Sequence, residues 1–378
     1  MKNLYRYIAP FLSDTFGFQE IVDVTDSMGI LDDCTPYKGR VSRTDIDEPY
    51  LGSHMVTTWL SRDDVISGTK KAIMAAFRKQ RYNFDPAFVM IATSPVSSMI
   101  GTDMQDVANA ITQESSLPTT SVDLGGHKYY DHGVSETLLS MAKLLVRPAQ
   151  MVPGTMNLIG GNAIDWTAEN VRACRAWAQE NGFEVVSVWG GRESADNLKH
   201  AAKAEINLVT SISGLATAKW FEKEFGTPYI TAAPFGKSVA RITVEALRKK
   251  EQPAVAVSEE NPQVLIIGEQ LMSNAIRETL NLDYGISGVQ VATFFTFDKE
   301  FAQPCDRRIK GEDDLMQLVQ NEDYKLIIAD PDLCIFKPEM SDWIDLPHGA
   351  VCYEYTGEVL PVLAGVGLNA WLDKRIKL

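Results

Sequence analysis

Apolar residues along this chain follow two alternating rhythms. Short unbroken apolar runs, bounded by Gly, Pro or polar residues, alternate with longer stretches in which apolar positions recur every three or four residues. Residues 88–93, Phe-Val-Met-Ile-Ala-Thr, form one such run. A run that is apolar at successive positions predicts a parallel strand buried on both faces. After Asp103, the residues Val107, Ala108, Ala110 and Ile111 have helical spacing, and 118–122 reads as the next short strand. Residues 133–146 are predicted helical from Leu138, Leu139, Met141, Ala142, Leu144 and Leu145, with Pro148 as the stop. Strands are predicted again at 156–160, 184–189, 207–211 and 229–231, with helices between them and a further helix over 237–249. A polar stretch from Lys249 to Pro262 reads as a linker. Beyond it come strands at 264–268, 289–294 and 325–329, with a helix at 312–320.

Strand–helix alternation on this scale predicts an α/β fold of three successive open, mainly parallel, Rossmann-like domains. Their expected bounds are 1–150, 151–252 and 253–378, the last with a C-terminal tail. Ligands of such sheets bind in crevices beyond the carboxyl ends of the strands. Residues in the loops that follow strands therefore carry the most weight.

Composition narrows the function classes. The 378 residues suit two or three domains, and 45% hydrophobic residues can bury a sizeable core. A formal net charge of -14 disfavours nucleic acid, whose phosphates need a basic face, and disfavours an anionic membrane surface. No stretch reaches the roughly 18 apolar residues of a membrane-spanning helix. The opening Met1-Lys2-Asn3-Leu4-Tyr5 lacks the apolar core and cleavage site of a secretory signal, so a cytoplasmic location is expected. Cys34, Cys174, Cys305, Cys334 and Cys352 are dispersed without a Cys-x-x-Cys pair. That spacing is neither a disulfide framework nor a zinc site. Cys174 sits among Val171, Trp177 and Ala178 at helical spacing and reads as core, and Cys352 reads as a weak pocket candidate beside His348.

Gly160-Gly161 and Gly190-Gly191 follow strands without forming Gly-x-Gly-x-x-Gly, and 268–273 lacks the Lys of a phosphate-binding loop. No NAD site and no ATP site are expected on this chain. Neither a Gly-x-Ser-x-Gly elbow nor a His-Glu-x-x-His pair is present.

Several ordered motifs carry a resemblance. Met156-Asn157-Leu158-Ile159-Gly160-Gly161-Asn162-Ala163-Ile164-Asp165-Trp166 is followed by 183–191 and by Asp196-Asn197-Leu198-Lys199-His200, and the series closes with Glu222-Lys223-Glu224-Phe225-Gly226-Thr227-Pro228-Tyr229. Upstream lie Ile8-Ala9-Pro10-Phe11, the segment 58–71, and Ala92-Thr93-Ser94-Pro95 leading to Gly101-Thr102-Asp103. Together these resemble the nitrogenase component 1 superfamily, which holds the nitrogenase α and β subunits, cofactor-assembly scaffolds and nitrogenase-like tetrapyrrole reductases.

The resemblance implies an iron–sulfur cluster, another metallocofactor or a tetrapyrrole as the cofactor class. The chain departs from the family's thiol pattern. In the loop read at 29–36 a single Cys34 remains, preceded by Asp32 and Asp33 as possible oxygen ligands; Ser94-Pro95 stands at the second thiol turn, and 55–60 has no Cys. One thiolate per chain cannot satisfy a four-thiolate cluster, so Cys34 would need a second chain. His200 and His348 match the family's cofactor-ligand positions and are the candidate metal or cofactor ligands, expected to face one interdomain cavity. His127 and His132, in the loop before a helix opening at Gly133, are the candidate proton donors. Trp177, Trp189 and Trp220 read as packing residues.

The implied function is a component 1-like oxidoreductase subunit. It would reduce a substrate or metallocofactor in an interdomain cavity, with electrons from a separate ATP-dependent iron protein. The implied assembly is a homodimer or a pair with a second component 1-like chain. The rival reading is a non-catalytic scaffold or carrier for a metal cluster or tetrapyrrole.

Overall fold

The computed structural model describes residues 6–34, 54–253, 261–321, 323–351 and 360–376. Three parallel sheets follow one another along them. The first takes β1 (Ser27–Asp32), β2 (Met55–Thr57), β3 (Phe88–Thr93) and β4 (Thr119–Val122), in the order β2-β1-β3-β4. The second takes β5 (Val152–Ile159), β6 (Glu184–Trp189), β7 (Ala204–Val209) and β8 (Tyr229–Thr231), in the order β6-β5-β7-β8. The third takes β9 (Val264–Ile267), β10 (Val289–Thr293), β11 (Arg307–Arg308), β12 (Leu326–Ala329) and β13 (Asp342–Asp345), in the order β11-β10-β9-β12-β13.

The sequence reading as an α/β fold of mainly parallel sheets is borne out. β3, β6 and β8 and the helix Lys237–Lys249 have the expected limits. The segment 29–34, however, is not a loop. Gly29 to Asp32 belong to β1, which pairs residue by residue with β3 from Ser27↔Phe88 to Asp32↔Thr93. The reason is two-sided burial: Met28 and Ile30 join the core beneath one face, while Leu31 joins the core on the other. Cys34 stands just past this strand. The helix expected from Gly133 begins at Tyr130. Residues 254–260 of the expected linker, and Cys352, lie outside the described residues.

The three sheets do not bury three independent cores. One buried cluster includes Phe11 and Phe18, Trp189 and Phe221, and Phe294 and Phe295. The Phe11 ring meets Phe294 edge-on at 4.8 Å, and Tyr130 meets Phe295 edge-on at 5.0 Å. Cys174 is buried in a second cluster, as expected of a core residue.

Two helices of the first sheet meet without side chains between them. A Cβ on Gly133 would stand 1.8 Å from the Asp14 carbonyl oxygen, and one on Gly17 would stand 2.0 Å from the Tyr130 carbonyl oxygen. The helices Asp14–Asp23 and Tyr130–Leu145 therefore cross backbone to backbone at this pair of glycines. Among the described residues no helix is long and apolar enough to cross a membrane.

Candidate functional site

A buried polar network forms where strand ends of all three sheets converge. Tyr130 follows β4, Asp165 follows β5, Ser211 follows β7, Glu269 follows β9, Asp330 follows β12 and His348 follows β13. Each lies past the carboxyl end of a parallel strand, where open α/β sheets place their ligands.

Local geometry fixes each side chain. Tyr130 begins its helix, and its amide donates to the Leu12 carbonyl at 2.9 Å. The Gly17–Gly133 crossing holds that helix end against the first one. In the turn after β5, Asn162 Oδ1 accepts from the amides of Ile164 at 3.0 Å and Asp165 at 3.1 Å. This side-chain-to-backbone turn aims the Asp165 carboxylate inward. Tyr130 Oη and Ser211 Oγ both donate to that carboxylate in short hydrogen bonds, and Asn162 Nδ2 donates to it at 2.8 Å.

His348 completes this side of the network. It is 3% exposed, and its ring stacks on Phe295 at 4.9 Å. Nε2 lies 3.5 Å from Asp165 Oδ1 and 3.3 Å from Tyr130 Oη. The Ala350 amide donates to Nδ1 at 3.1 Å, which assigns the ring proton to Nε2. The His348 amide donates to Asp330 Oδ2 at 2.7 Å. Both ring nitrogens are thus engaged, and metal ligation would require one to be released.

Glu269 supplies a second buried acid. Its oxygens accept from the amides of Ile212 and Met272, each at 2.8 Å. Those donors favour the carboxylate, but they lose to burial and to the neighbouring Asp165 charge, which push the acid up to about 8. Beside Tyr130, Asp131 is also buried and raised by desolvation, with the Thr296 amide donating to it at 2.7 Å. Burial first, then the nearby carboxylates, hold the Tyr130 phenol well above its ordinary value. Glu269 and Tyr130 therefore keep their protons near neutral pH, and Asp131 is shifted in the same direction.

The residues selected from sequence are placed differently from one another. His127 is exposed. His132 lies in the first turn of the helix, half-buried, and its Nε2 accepts from Lys128 Nζ at 2.9 Å. The same turn directs Tyr130 and Asp131 inward. His200 is exposed at the end of the helix Ala195–Lys199, and its Nδ1 donates to the Asp196 carbonyl at 2.8 Å. His200 and His348 thus occupy opposite environments, one solvent-facing and one interior.

Cys34 is partly exposed, and its amide donates to Asp33 Oδ1 at 2.7 Å. Burial and then the charges of Asp33 and Asp32 push its thiol up. Asp32 is itself raised to about 6 by burial, against hydrogen bonds from Thr69 and Thr58. A lone thiol under the charge of two carboxylates does not by itself fit an iron–sulfur cluster, which needs several thiolates. Among the described residues, no group of three or more His, Cys, Asp and Glu is arranged to hold a metal ion.

Sequence reasoning counted the tyrosines of the 125–133 loop among its donors without singling out Tyr130, and passed over Asp131, Asp165, Ser211 and Glu269. Tyr130 and Asp131 lay between the two selected histidines, and Asp165 lay inside the Gly-Gly-Asn-Ala-Ile-Asp-Trp motif. Position after a strand was the available signal.

Comparison with known proteins agrees with the fold. The model of the family "Nitrogenase component 1 type Oxidoreductase" matches residues 33–300. The chain is similar to the nitrogenase iron-molybdenum cofactor biosynthesis protein NifE of Methanosarcina barkeri, 25% identical over 197 residues, covering 48% of this chain and 41% of that protein. It is also similar to one chain of the light-independent protochlorophyllide reductase of Synechococcus sp. (strain JA-3-3Ab), 19% identical over 305 residues, covering 68% of this chain and 60% of that one. The matches thus span only about half the length of these relatives. The solved structure "Nitrogenase Cp1 at pH 6.5" superposes with a TM-score of 0.71 at 14% identity, over 99% of this chain and 94% of the other. The family match covers well over half of the sequence, so this chain belongs to the nitrogenase component 1 type oxidoreductase family.

Proposed function

We propose that this chain is a component 1-like oxidoreductase subunit that reduces a substrate or metallocofactor held beyond the strand ends, with electrons from a separate ATP-dependent iron protein. The observation that carries this reading is the proton-bearing network drawn from the strand ends of all three sheets. Reduction consumes protons as well as electrons, and a donor poised near neutral pH suits that task. Glu269, Tyr130 and the Nε2–H of His348 hold protons beside Asp165. His127 and His132, outside the same helix end, pass protons in from solvent. Asp165 orients Tyr130, Ser211 and His348.

Electron entry is assigned to the Cys34 edge, shared with a second copy or a second component 1-like chain. Trp59, Ile66 and Met99, 62%, 84% and 88% exposed, follow β2 and β3 at the same end of the sheet, and a partner seated at this end would cover them. A cluster there would draw one thiolate from each chain, with Asp32 or Asp33 as oxygen ligands. His200 remains the surface ligand candidate.

A second reading, a scaffold or carrier for a metal cluster or tetrapyrrole, is favoured by the single thiol and by the likeness to a protein named for cofactor biosynthesis. Both readings meet one experiment. The chain is purified without oxygen from cells that also express candidate partner chains, and iron, acid-labile sulfide and ATP-dependent turnover are measured. Iron and sulfide lost on Cys34→Ala, with turnover that needs reductase and ATP, are expected of a reductase component. Cofactor held without turnover transfers the assignment to the carrier. Neither metal nor turnover in any partnered preparation overturns the electron-entry assignment.

A further inference from the structure

We propose that the segment 6–12 is a strap that closes the strand-end network, and that the Glu312 carboxylate is its catch. The inference rests on the reading of that network as the reducing site, and its test reads access rather than turnover.

The network is shut in this structure: Tyr130 is 0%, Asp165 1% and His348 3% exposed. A group buried to this degree reaches no substrate, so a cover must move before it can donate a proton. The network residues stand on loops and helix ends held by the three sheets. Segment 6–12 forms neither helix nor strand, and Arg6, Tyr7, Ala9 and Pro10 face solvent. Exposure and a lack of regular backbone bonds mark the parts of a fold that open first.

The strap touches the network at three points. The Leu12 amide donates to the Ala350 carbonyl at 3.1 Å, and the Leu12 carbonyl accepts the Tyr130 amide at 2.9 Å. One residue thus bridges the backbone that presents Tyr130 and the turn whose Ala350 amide holds His348 Nδ1. The third point is aromatic. The Phe11 ring lies 5.9 Å from Phe295, and Phe295 stacks on His348 at 4.9 Å. Lifting the strap withdraws Phe11 from Phe295 and leaves the Tyr130 amide and the Ala350 carbonyl to water.

Its outer half is fastened mainly by one side chain. Glu312 opens the helix Glu312–Asn321 and is 3% exposed. Its Oε2 accepts the Arg6 amide at 2.8 Å, and its Oε1 accepts those of Tyr7 at 3.0 Å and Ile8 at 2.9 Å. Burial alone would raise this acid, but the three amides and the Arg6 charge hold it below the ordinary glutamate value. The catch is therefore ionised near neutral pH, and hydrogen bonds to a charged acceptor are the strong kind. The remaining contacts are peripheral. Arg6 pairs with Asp313, both about half exposed, and Tyr7 meets Phe336 edge-on at 5.9 Å. An exposed ion pair adds little. A fastening concentrated in one carboxylate releases as a unit, because three donors lose their acceptor together.

Diethyl pyrocarbonate, which acylates neutral imidazole, tests this on the full chain with peptide mass spectrometry. In the wild type, His348 is expected to react far more slowly than the exposed His127 and His200. Glu312→Ala is expected to speed the His348 reaction about tenfold, the weight of one charge-assisted hydrogen bond in the open population. His54, stacked on Phe84 beside the first sheet, should keep its rate. An unchanged His348 rate in a folded Glu312→Ala chain overturns the proposal, as does equal acceleration of His54, which would mean general loosening. Should the variant fail to fold, hydrogen exchange of the wild type decides. A strap that lifts in one piece gives the amides of Tyr7, Ile8, Leu12 and Tyr130 one common protection, lower than that of β3. A Tyr130 amide protected like β3 rather than like Tyr7 and Ile8 overturns the strap. Access gained in Glu312→Ala without turnover in any partnered preparation sinks the reducing reading and leaves the strap standing.

Discussion

At the residue scale, the group with the most to reveal is Glu269. Its folded-state value of about 8 lies above the 4.5 of an ordinary glutamic acid. Between those values the folded chain keeps a proton that the unfolded chain has released. Stability therefore falls as pH rises through this window and levels off above it. Asp32 and Asp23, each raised to about 6 by burial, act in the same direction at lower pH. The urea midpoint of the wild-type chain is expected to fall from pH 5 to pH 8. In Glu269→Gln, which does not titrate, the slope between pH 6 and 8 should flatten. The slope is the readout, because the Gln amide must face the backbone N–H groups that the acid now accepts and absolute stability will drop. Equal slopes in the two proteins would remove Glu269 from the proton-holding set.

Between secondary-structure elements, the Gly17–Gly133 crossing decides where Tyr130 stands. No side chain can be inserted there without separating two backbones. Gly133→Ala is expected to cost about 3 kcal/mol, the upper end of overpacking, and to displace the helix end that carries Tyr130 and Asp131. Gly125→Ala is the control, since its Cβ would meet only the His127 ring at 3.3 Å. Urea unfolding of the two variants checks this, and equal losses would refute the crossing as the positioning device. The sequence showed the partners of this crossing only dimly. Helical spacing from Leu138 to Leu145 was plain, but the helix start was placed at Gly133, because glycine reads as a boundary until its contact is seen. β3, β6 and β8 were legible because each is a compact run fit for a central strand. β1 was hidden because Gly29 and the acids Asp32 and Asp33 make the same letters read as a turn; pairing with β3 overrides that local preference.

For the whole molecule, family motifs and strand–helix alternation made the parallel α/β architecture readable, and the family match and the superposition on a nitrogenase structure agree with it. The site was readable only in part. His348 was selected and does lie in the network, whereas its partners Tyr130 and Asp165 carry no local signature. Their meaning depends on contacts between residues far apart in the chain. The histidines drew attention because imidazole is rare and chemically versatile, while the buried acids looked like ordinary members of an acidic sequence.

That separation has a consequence for how the chain acquires its shape. Tyr130 and His348 are 218 positions apart, and the amide of Ile212 reaches Glu269 across 57. Contacts that close such long loops are slow to form, so local strand and helix pairings should come first during refolding. Pulsed hydrogen exchange is expected to protect amides within β5 and β6 before those of Ile212 and His348. Simultaneous protection would show that the network nucleates the fold. If it forms last, the chain passes through a state with its sheets built and its acids still in water, and these are the groups that must then take up protons as the interior closes.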